Sequence, residues 1–345
     1  MRALVLEQPG PAADAPLVLV DRPIPSPTAD ELLVRVSACT VCRTDLQIAE
    51  GDLVAHRLPI VLGHQAVGRV EAMGDGVQGW SEGDRVGVTW LAKLCGHCPH
   101  CLEGRENLCL FAEFTGWDRD GGFADYLTVR ASVAVSLPDS IEDLQAAPLL
   151  CGGVIGYRSL GISGIQDGGR LGLFGFGASA RLAIQVATHR GCRVFVCTRS
   201  PSDRSRALAL GAEWAGGYDD IPPEPLDAAV TFAPSGAVVV AALRALDRGG
   251  TVAINAIHLD RVPEFPYDLL WWERTLRSVA NVTRRDAREF IALAAEIPIR
   301  ADIELHPLAD GNIALQRVAS GAVDGAAVLV PGLEARGRGR RDSGR

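Results

Sequence analysis

Hydrophobic and polar positions alternate in short runs along the first part of the chain. Between residue 2 and about residue 129 these runs have the length of β-strands and are separated by Gly, Pro and Asp. They are LVLVD (17–21), ELLVRVSA (31–38), VGRVEAMG (67–74) and DRVGVTW (84–90). Alternating runs of this length, bounded by turn residues, predict an all-β, barrel-like unit.

From about residue 144 the pattern changes to strand-length apolar runs separated by helix-length stretches. RLGLFGFG (170–177) predicts a strand entering a glycine turn, and ASARLAIQVATHRG (178–191) predicts an amphipathic helix ended by glycine. The alternation continues through CRVFVCT (192–198), RSRALALGA (204–212), LDAAVTFA (226–233), TVAINAI (251–257) and LRSVANV (276–282). Strands and helices in turn predict a parallel sheet built from β-α-β units. The stretch after about residue 285 is predicted as helix, strand, helix, strand.

Length and composition narrow the class of protein. A chain of 345 residues favours two domains, and 48% hydrophobic with 22% charged residues is typical of globular proteins. No apolar run approaches the roughly 18 residues of a membrane helix, and the N-terminus MRALVLEQPG has no secretory apolar stretch. We therefore expect a cytoplasmic protein without a membrane partner.

Charge and cysteine content narrow the class further. The net charge of −8 argues against a nucleic-acid partner, although the chain ends in the basic sequence RGRGRRDSGR, which we interpret as a solvated extension. The cytosol keeps thiols reduced, so the nine cysteines favour metal binding or nucleophilic roles over disulfides.

The segment GFGASA (175–180) matches the first two glycines of a G-x-G-x-x-G/A turn, with Ala180 in the third position. It follows a predicted strand and opens a predicted helix, which is the context of a dinucleotide site. Gly175 permits the tight turn and Gly177 permits close approach of a pyrophosphate. Ala178 and Ser179 begin a helix whose free N–H groups favour an anion. An ordinary glycine-rich turn is the alternative.

The end of the following strand bears on the choice of cofactor. NAD-binding units usually place an acidic residue there, whereas this chain has Thr198, Arg199 and Ser200. Arg199 could pair with a 2′-phosphate and the two hydroxyls could donate to it, so NADP(H) is favoured over NAD(H). An exposed arginine without a ligand is the alternative.

The segment CGHCPHCLEGRENLC (95–109) contains Cys95, Cys98, Cys101 and Cys109. Four thiolates complete a tetrahedral zinc shell and leave no position for substrate or water, so this array predicts a structural zinc rather than a catalytic one. An iron–sulfur cluster and disulfides are the alternatives.

Three other residues stand in separate segments: Cys42 in TVCRTDLQ, His64 in VLGHQAVG and Cys151 in LLCGG. Their spacing does not define a site. Taken singly, each is more often a buried cysteine or a hydrogen-bonded core histidine than a metal ligand.

Six segments of the chain form an ordered set: CRTD, GH, the four-cysteine array, GGFADY (121–126), LLCGG and GFG. In their order and approximate intervals they resemble the zinc-dependent medium-chain alcohol dehydrogenase family, over about residues 1–331. The resemblance implies an α/β protein with a GroES-like β-barrel catalytic domain (1–152 and 288–331) and a Rossmann domain with a doubly wound parallel sheet (153–287). Residues 332–345 form the basic tail. It also implies two zinc ions per chain and a homodimer or homotetramer.

By that resemblance Cys42, His64 and Cys151 bind a catalytic zinc, and three ligands leave one position open for an alcohol. Thr44 would be the proton-relay hydroxyl, although capping a helix that begins near Asp45 explains it equally well. Asp45 would orient His64. Arg43 falls where relatives bind the cofactor pyrophosphate, and Arg284 is a second phosphate candidate.

Two substitutions depart from the family pattern. Gln65 stands where relatives usually have Glu beside the zinc, and Gln47 where many have a relay histidine. An amide does not carry protons at neutral pH as imidazole does. Trp90 and Trp117 would narrow the substrate cleft, or they belong to the core.

The expected function is reversible hydride transfer between NADP(H) and a primary alcohol or aldehyde. The alternatives are a reductase of an activated C=C or C=N bond and a non-catalytic zinc- or redox-responsive binding protein.

Overall fold

The computed structural model describes residues 1–334, so all but three positions of the predicted basic tail lie outside the described residues. The strands are β1 (Arg2–Leu6), β2 (Leu17–Asp21), β3 (Glu31–Val41), β4 (Ile60–Val61), β5 (Ala66–Met73), β6 (Arg85–Val88), β7 (Leu91–Lys93), β8 (Glu113–Phe114), β9 (Tyr126–Arg130), β10 (Val135–Ser136), β11 (Arg170–Phe174), β12 (Arg193–Cys197), β13 (Trp214–Gly216), β14 (Leu226–Thr231), β15 (Leu246–Ile254), β16 (Thr275–Ser278), β17 (Ile303–Pro307) and β18 (Ala326–Val330). The helices are α1 (Arg43–Glu50), α2 (Pro99–Leu102), α3 (Asp143–Pro148), α4 (Val154–Ser163), α5 (Ala178–His189), α6 (Pro201–Ala209), α7 (Gly236–Ala245), α8 (Arg284–Glu296) and α9 (Gly311–Ala319). No described helix is long and apolar enough to cross a membrane.

The first unit, which we call the mixed-sheet unit, contains β1–β10 with β17 and β18. Its main sheet has the order β10-β6-β5-β3-β18-β17, with β9 also paired to β3, and β2-β1-β4 form a smaller sheet. Strand β3 is central and buried over most of its length. It runs three residues beyond the predicted 31–38 because Cys39, Thr40 and Val41 continue its buried pairing.

The C-terminal segment returns to this unit. Strand β18 runs antiparallel to β3, with Val328 opposite Thr40, and parallel to β17. The pairing links residues from opposite ends of the described chain in one sheet. The domain boundaries at 152/153 and 287/288 stay a prediction.

The second unit, which we call the parallel-sheet unit, contains β11–β16. All of its strands are parallel, in the order β13-β12-β11-β14-β15-β16, which is the doubly wound order 3-2-1-4-5-6. The predicted fold class is confirmed. In such sheets, ligands bind beyond the carboxyl ends of the two strands where the order reverses, here β11 and β14.

Two helices differ instructively from the prediction. Helix α6 begins at Pro201 rather than 204, because proline is favourable at the first helical position and Ser200 Oγ accepts the Asp203 N–H at 3.3 Å. Helix α7 was not predicted. Its sequence GAVVVAALRA is rich in β-branched valine, which weakens the helical signal.

Arginine–aspartate pairs join the two units. Arg181 on α5 binds Asp324 at 2.7 Å, and Arg206 on α6 binds both Asp302 and Asp324 at 2.5 Å. The two aspartates lie in the loops that lead into β17 and β18. The parallel-sheet unit is therefore held to the returning C-terminal segment by charge as well as by packing.

Candidate metal and cofactor site

The three scattered residues Cys42, His64 and Cys151 come together in the structure. Their ligand atoms all lie within 4.8 Å of one another. Ligands at about 2.0–2.3 Å from one tetrahedral zinc ion are roughly 3.3–3.8 Å apart. The cluster therefore has nearly the dimensions of a three-ligand zinc site.

Cys42 is fixed by the start of α1. It is the N-cap residue, and the Asp45 carboxylate accepts its backbone N–H at 2.7 Å. Because the helix begins at Arg43, Thr44 lies inside the first turn, and the alternative that Thr44 caps the helix is wrong. The buried Thr44 Oγ1 instead lies 3.8 Å from Cys42 Sγ.

Asp45 also orients His64. Its completely buried carboxylate accepts the Gly63 N–H and faces His64 Nδ1, both at 3.1 Å. The other ring nitrogen, His64 Nε2, is buried and has no hydrogen-bond partner among residues 1–334. A buried, unpartnered imidazole nitrogen beside two cysteine sulfurs fits a metal ligand.

Cys151 projects from a π-helical turn, Leu149–Gly153, between α3 and α4. π-helical turns are rare and often occur at functional sites. A Cβ at Gly152 would lie 3.3 Å from Ser179 Oγ, in the first turn of α5. The cluster is thus adjacent to the helix that the glycine motif opens.

The charges within the cluster favour a cation at its centre. The neighbouring Cys151 thiol, together with the His64 imidazole, holds the pKa of Cys42 well below its usual value despite burial. Burial would lower the pKa of His64, but the Asp45 carboxylate and Cys42 outweigh it and raise the pKa to about 10. A divalent ion would supply the positive charge that the protonated imidazole otherwise provides.

The four-cysteine array forms a second cluster. The sulfurs of Cys95, Cys98, Cys101 and Cys109 lie within 4.8 Å of one another, and all nine cysteines are free. The Cys98 N–H donates to Cys95 Sγ at 3.3 Å, and the Phe111 N–H donates to Cys109 Sγ at 3.4 Å. Although burial opposes it, N–H donors lower the pKa of Cys95 to about 6. Four converging thiolates fit a closed tetrahedral zinc shell.

The glycine motif has the predicted context. Gly175 directly follows β11 and has a φ of +94°, and a Cβ there would lie 2.9 Å from the Ala233 backbone nitrogen. Gly177 caps α5, and a Cβ there would meet nothing within 4 Å, so the backbone is open to a ligand. Ala178 and Ser179 form the first helical turn, and Ala180 is buried.

Three arginines were predicted to contact the cofactor. Arg199 is exposed and follows β12, between Thr198, which is buried, and Ser200. Arg43 is exposed at the start of α1. Neither makes an ion pair within residues 1–334. Arg284 differs, because its Nε binds the buried Glu106 carboxylate at 3.0 Å. The contact of Arg284 with a cofactor phosphate stays a prediction, and in the structure the Arg284 side chain is paired with Glu106.

Trp90 lies beside the three-residue cluster. Its ring centroid is 5.5 Å from that of His64 and 5.9 Å from that of Trp117. Sequence reasoning missed two further rings: Phe114, 5.3 Å from Trp90, and His56, which stacks on Trp117 at 3.8 Å. The four rings Trp90, Phe114, Trp117 and His56 form what we call the aromatic wall. Their separation in sequence gave no periodic signal.

The two departures from the family pattern also lie near the cluster. Gln65 is buried directly after His64, and Gln47 lies one helical turn after Thr44 on α1. Both are neutral, so neither adds negative charge or a titrating group to the site.

Comparison with known proteins places this architecture in a family. Residues 28–139 match the alcohol dehydrogenase GroES-like domain and residues 180–296 the zinc-binding dehydrogenase domain. The chain belongs to the zinc-dependent medium-chain alcohol dehydrogenase family, which binds zinc and a nicotinamide cofactor. It is 47% identical to a probable alcohol dehydrogenase, AdhA, of Mycobacterium tuberculosis, over 96% of this chain and 97% of the relative.

Two further comparisons agree. An alcohol dehydrogenase of Geobacillus stearothermophilus is 33% identical over 95% of this chain and 99% of that protein. The cobalt- and zinc-bound structure of a thermostable alcohol dehydrogenase from Pyrobaculum aerophilum superposes with a TM-score of 0.87, at 27% identity, over 96% of this chain and 99% of the other. The chain is thus an oxidoreductase of the zinc alcohol dehydrogenase type.

Proposed function

We propose that the protein is an NADP(H)-linked alcohol dehydrogenase and aldehyde reductase with two zinc ions per chain. The observation that carries the proposal is the meeting of Cys42, His64 and Cys151 beside the first turn of α5. A metal site with three protein ligands keeps one position for substrate. Its position next to the glycine-motif helix supports hydride exchange with a dinucleotide.

Cys42, His64 and Cys151 would hold the catalytic zinc, and the four-cysteine array the structural one. When bound, the catalytic zinc supplies Lewis-acid polarisation of an alcohol or carbonyl oxygen, and the nicotinamide accepts or delivers hydride. Asp45 fixes the His64 ring through Nδ1 and so keeps Nε2 directed into the cluster.

Thr44 would pass the proton. Its buried hydroxyl can both accept and donate, and it lies beside Cys42 Sγ. Gln47, which lies one helical turn after Thr44 on α1, cannot titrate at neutral pH. A bound cofactor would supply a ribose hydroxyl as an exchangeable group that Gln47 lacks.

Arg199 supports NADP(H) over NAD(H). It is exposed where the 2′-phosphate of the adenosine ribose would lie, no acidic residue takes that position, and Thr198 and Ser200 add hydroxyls. A charge-assisted hydrogen bond of this kind contributes about 1.5–3 kcal/mol, so Arg199→Gln should lower kcat/KM for NADPH about 10- to 100-fold and leave the value for NADH nearly unchanged. Arg190→Gln, at the other end of α5, is the control. Equal use of both cofactors by the wild type would contradict the assignment.

The edge of the parallel sheet supports a homo-oligomer. Strand β16 is the outermost strand and is largely exposed, and Trp271 and Trp272 beside it are 58% and 44% exposed. Two such edges can pair about a twofold axis. Light scattering should show a dimer or tetramer that Arg277→Pro weakens, whereas a monomeric wild type would refute this part of the proposal. The nine free cysteines support a reducing, cytoplasmic location.

The activity is tested by following nicotinamide absorbance with both cofactors against primary alcohols, aldehydes and an activated alkene. We expect turnover of alcohols and aldehydes, and elemental analysis should find two zinc ions per chain. Cys151→Ser should lose one zinc together with turnover. Retention of turnover by that variant would overturn the assignment of the catalytic metal, and reduction of the alkene alone would favour the C=C reductase.

A further inference from the structure

The segment between α1 and β4, residues 51–59, lies between two of the proposed zinc ligands in sequence. It follows the helix that Cys42 caps and precedes the turn that carries His64. Most of its residues are exposed, and Val54 is 76% exposed. We call this segment the entrance loop, because chain connectivity places both of its ends at the candidate site.

The entrance loop is attached to the segment 114–120 by three successive contacts. Trp117 Nε1 donates to the Val54 carbonyl at 2.8 Å, His56 Nδ1 lies 2.6 Å from Asp118 Oδ1, and Arg57 donates to Asp120 Oδ1 at 3.1 Å. Asp118 is itself fixed, because Oδ2 accepts the Phe114 N–H at 2.8 Å. The loop is thus held in one position against Trp117.

His56 is the outer member of the aromatic wall. Its ring lies 22° from parallel to Trp117 at a centroid separation of 3.8 Å, and Trp117 and Trp90 continue the row to His64. The side chain of His56 is 47% exposed, whereas that of Asp118 is 20% exposed. A row of rings therefore extends from a proposed zinc ligand to solvent and ends in an imidazole that Asp118 holds in place.

A row of this length exceeds what a short aliphatic alcohol can contact. A substrate whose oxygen lies at the cluster and whose body carries an aromatic ring a few bonds away would reach the outer rings. Aromatic pairs contribute attraction beyond that of buried area, provided the rings are held in a suitable orientation. His56 and Trp117 meet this condition because Asp118 and the Val54 carbonyl fix them.

We propose that His56 is a specificity-determining residue, which fixes the outer end of the aromatic wall and favours aryl-substituted alcohols and aldehydes over short aliphatic ones. The inference rests on the proposed function and narrows its substrate class. His56 acts on binding of the substrate body, remote from the reacting carbon, so its removal should change KM for aryl substrates far more than kcat.

The test compares 3-phenylpropanal with propanal in the zinc-loaded enzyme. His56→Ala should raise KM for 3-phenylpropanal about 3- to 10-fold and leave its kcat and both constants for propanal within about twofold. His56→Phe keeps a flat ring on Trp117 but loses the contact with Asp118, so its KM for 3-phenylpropanal should lie between those of His56→Ala and the wild type. Arg22→Gln, which removes another arginine contact of Asp120 from outside the entrance loop, is the matched control and should leave the constants for both substrates unchanged.

Two results would overturn the inference. Equal losses on both aldehydes in His56→Ala would show a purely structural role for the loop, and unchanged constants would show that the ring does not meet substrate. Both differ from failure of the proposed function, in which the wild type turns over neither aldehyde.

Discussion

The buried carboxylate of Asp45 offers a direct test of how the candidate site is built. It accepts the N–H groups of Cys42 and Gly63 and faces His64 Nδ1. Asp45→Asn keeps the shape but has one oxygen, so its NH₂ group must face at least one of these donors. A buried donor left unpaired costs about 1–3 kcal/mol of the free energy of unfolding.

The same substitution should weaken zinc binding. The loss of an outer partner of a metal-bound histidine typically lowers metal affinity by about 10- to 100-fold, or about 1.4–2.7 kcal/mol. We expect the affinity of Asp45→Asn for one of its two zinc ions to fall by about that factor, measured by competition with a chelator and by elemental analysis. Turnover should fall in proportion to the zinc lost.

Asp286 provides a matched control. It occupies the same third position of α8 that Asp45 occupies in α1, and it accepts the Thr283 N–H at 2.7 Å and an Arg158 N–H at 2.6 Å. Asp286→Asn should lose similar stability and keep both zinc ions. If Asp45→Asn held zinc as tightly as the wild type, or if both variants lost it equally, the orienting role of Asp45 would be refuted.

Three further outcomes are expected. Cys98→Ser should lower thermal stability and remove the loop zinc while the remaining folded enzyme keeps its kcat, and intact folding with selectively lost turnover would contradict this. Burial opposes ionisation of Glu106, but backbone N–H groups and Arg284 hold its pKa below the usual value of about 4.3. The contribution of the Glu106 carboxylate to stability is therefore present above that pH and is lost as the pH falls through the lower pKa of the folded state. Glu106→Gln should therefore flatten the acid limb of a plot of unfolding free energy against pH, and an unchanged limb would refute it. Arg206→Gln should reduce the loss of melting temperature caused by added salt, because it removes contacts with Asp302 and Asp324, and an unaltered salt dependence would count against the interdomain role.

Local sequence predicted much of the architecture. Strand β2 and helix α5 were placed from hydrophobic period and turn residues, and the G-x-G turn was placed between the strand now called β11 and α5. The four-cysteine array could be interpreted from spacing, because all of its members lie on one short segment. Such features depend on neighbours in sequence.

The candidate catalytic cluster could not be derived in this way. Cys42, His64 and Cys151 come from a helix cap, a turn and a π-helical turn, and only tertiary packing unites them. The resemblance to a family supplied them as a set. No comparable signal pointed to His56, because its meaning depends on the stacking with Trp117.

The return of β18 to β3 also bears on how a newly made chain matures. Residues 39–41, directly before Cys42, pair with β18 near the far end of the described chain. All three proposed ligands are synthesised within the first half of the chain, yet the strand that positions Cys42 lacks this neighbour until translation passes residue 330. The parallel sheet, contiguous in sequence from β11 to β16, can fold earlier. We therefore expect nascent chains to expose a β3 edge prone to aggregation and to acquire the catalytic metal only after β18 has been synthesised and has paired with β3.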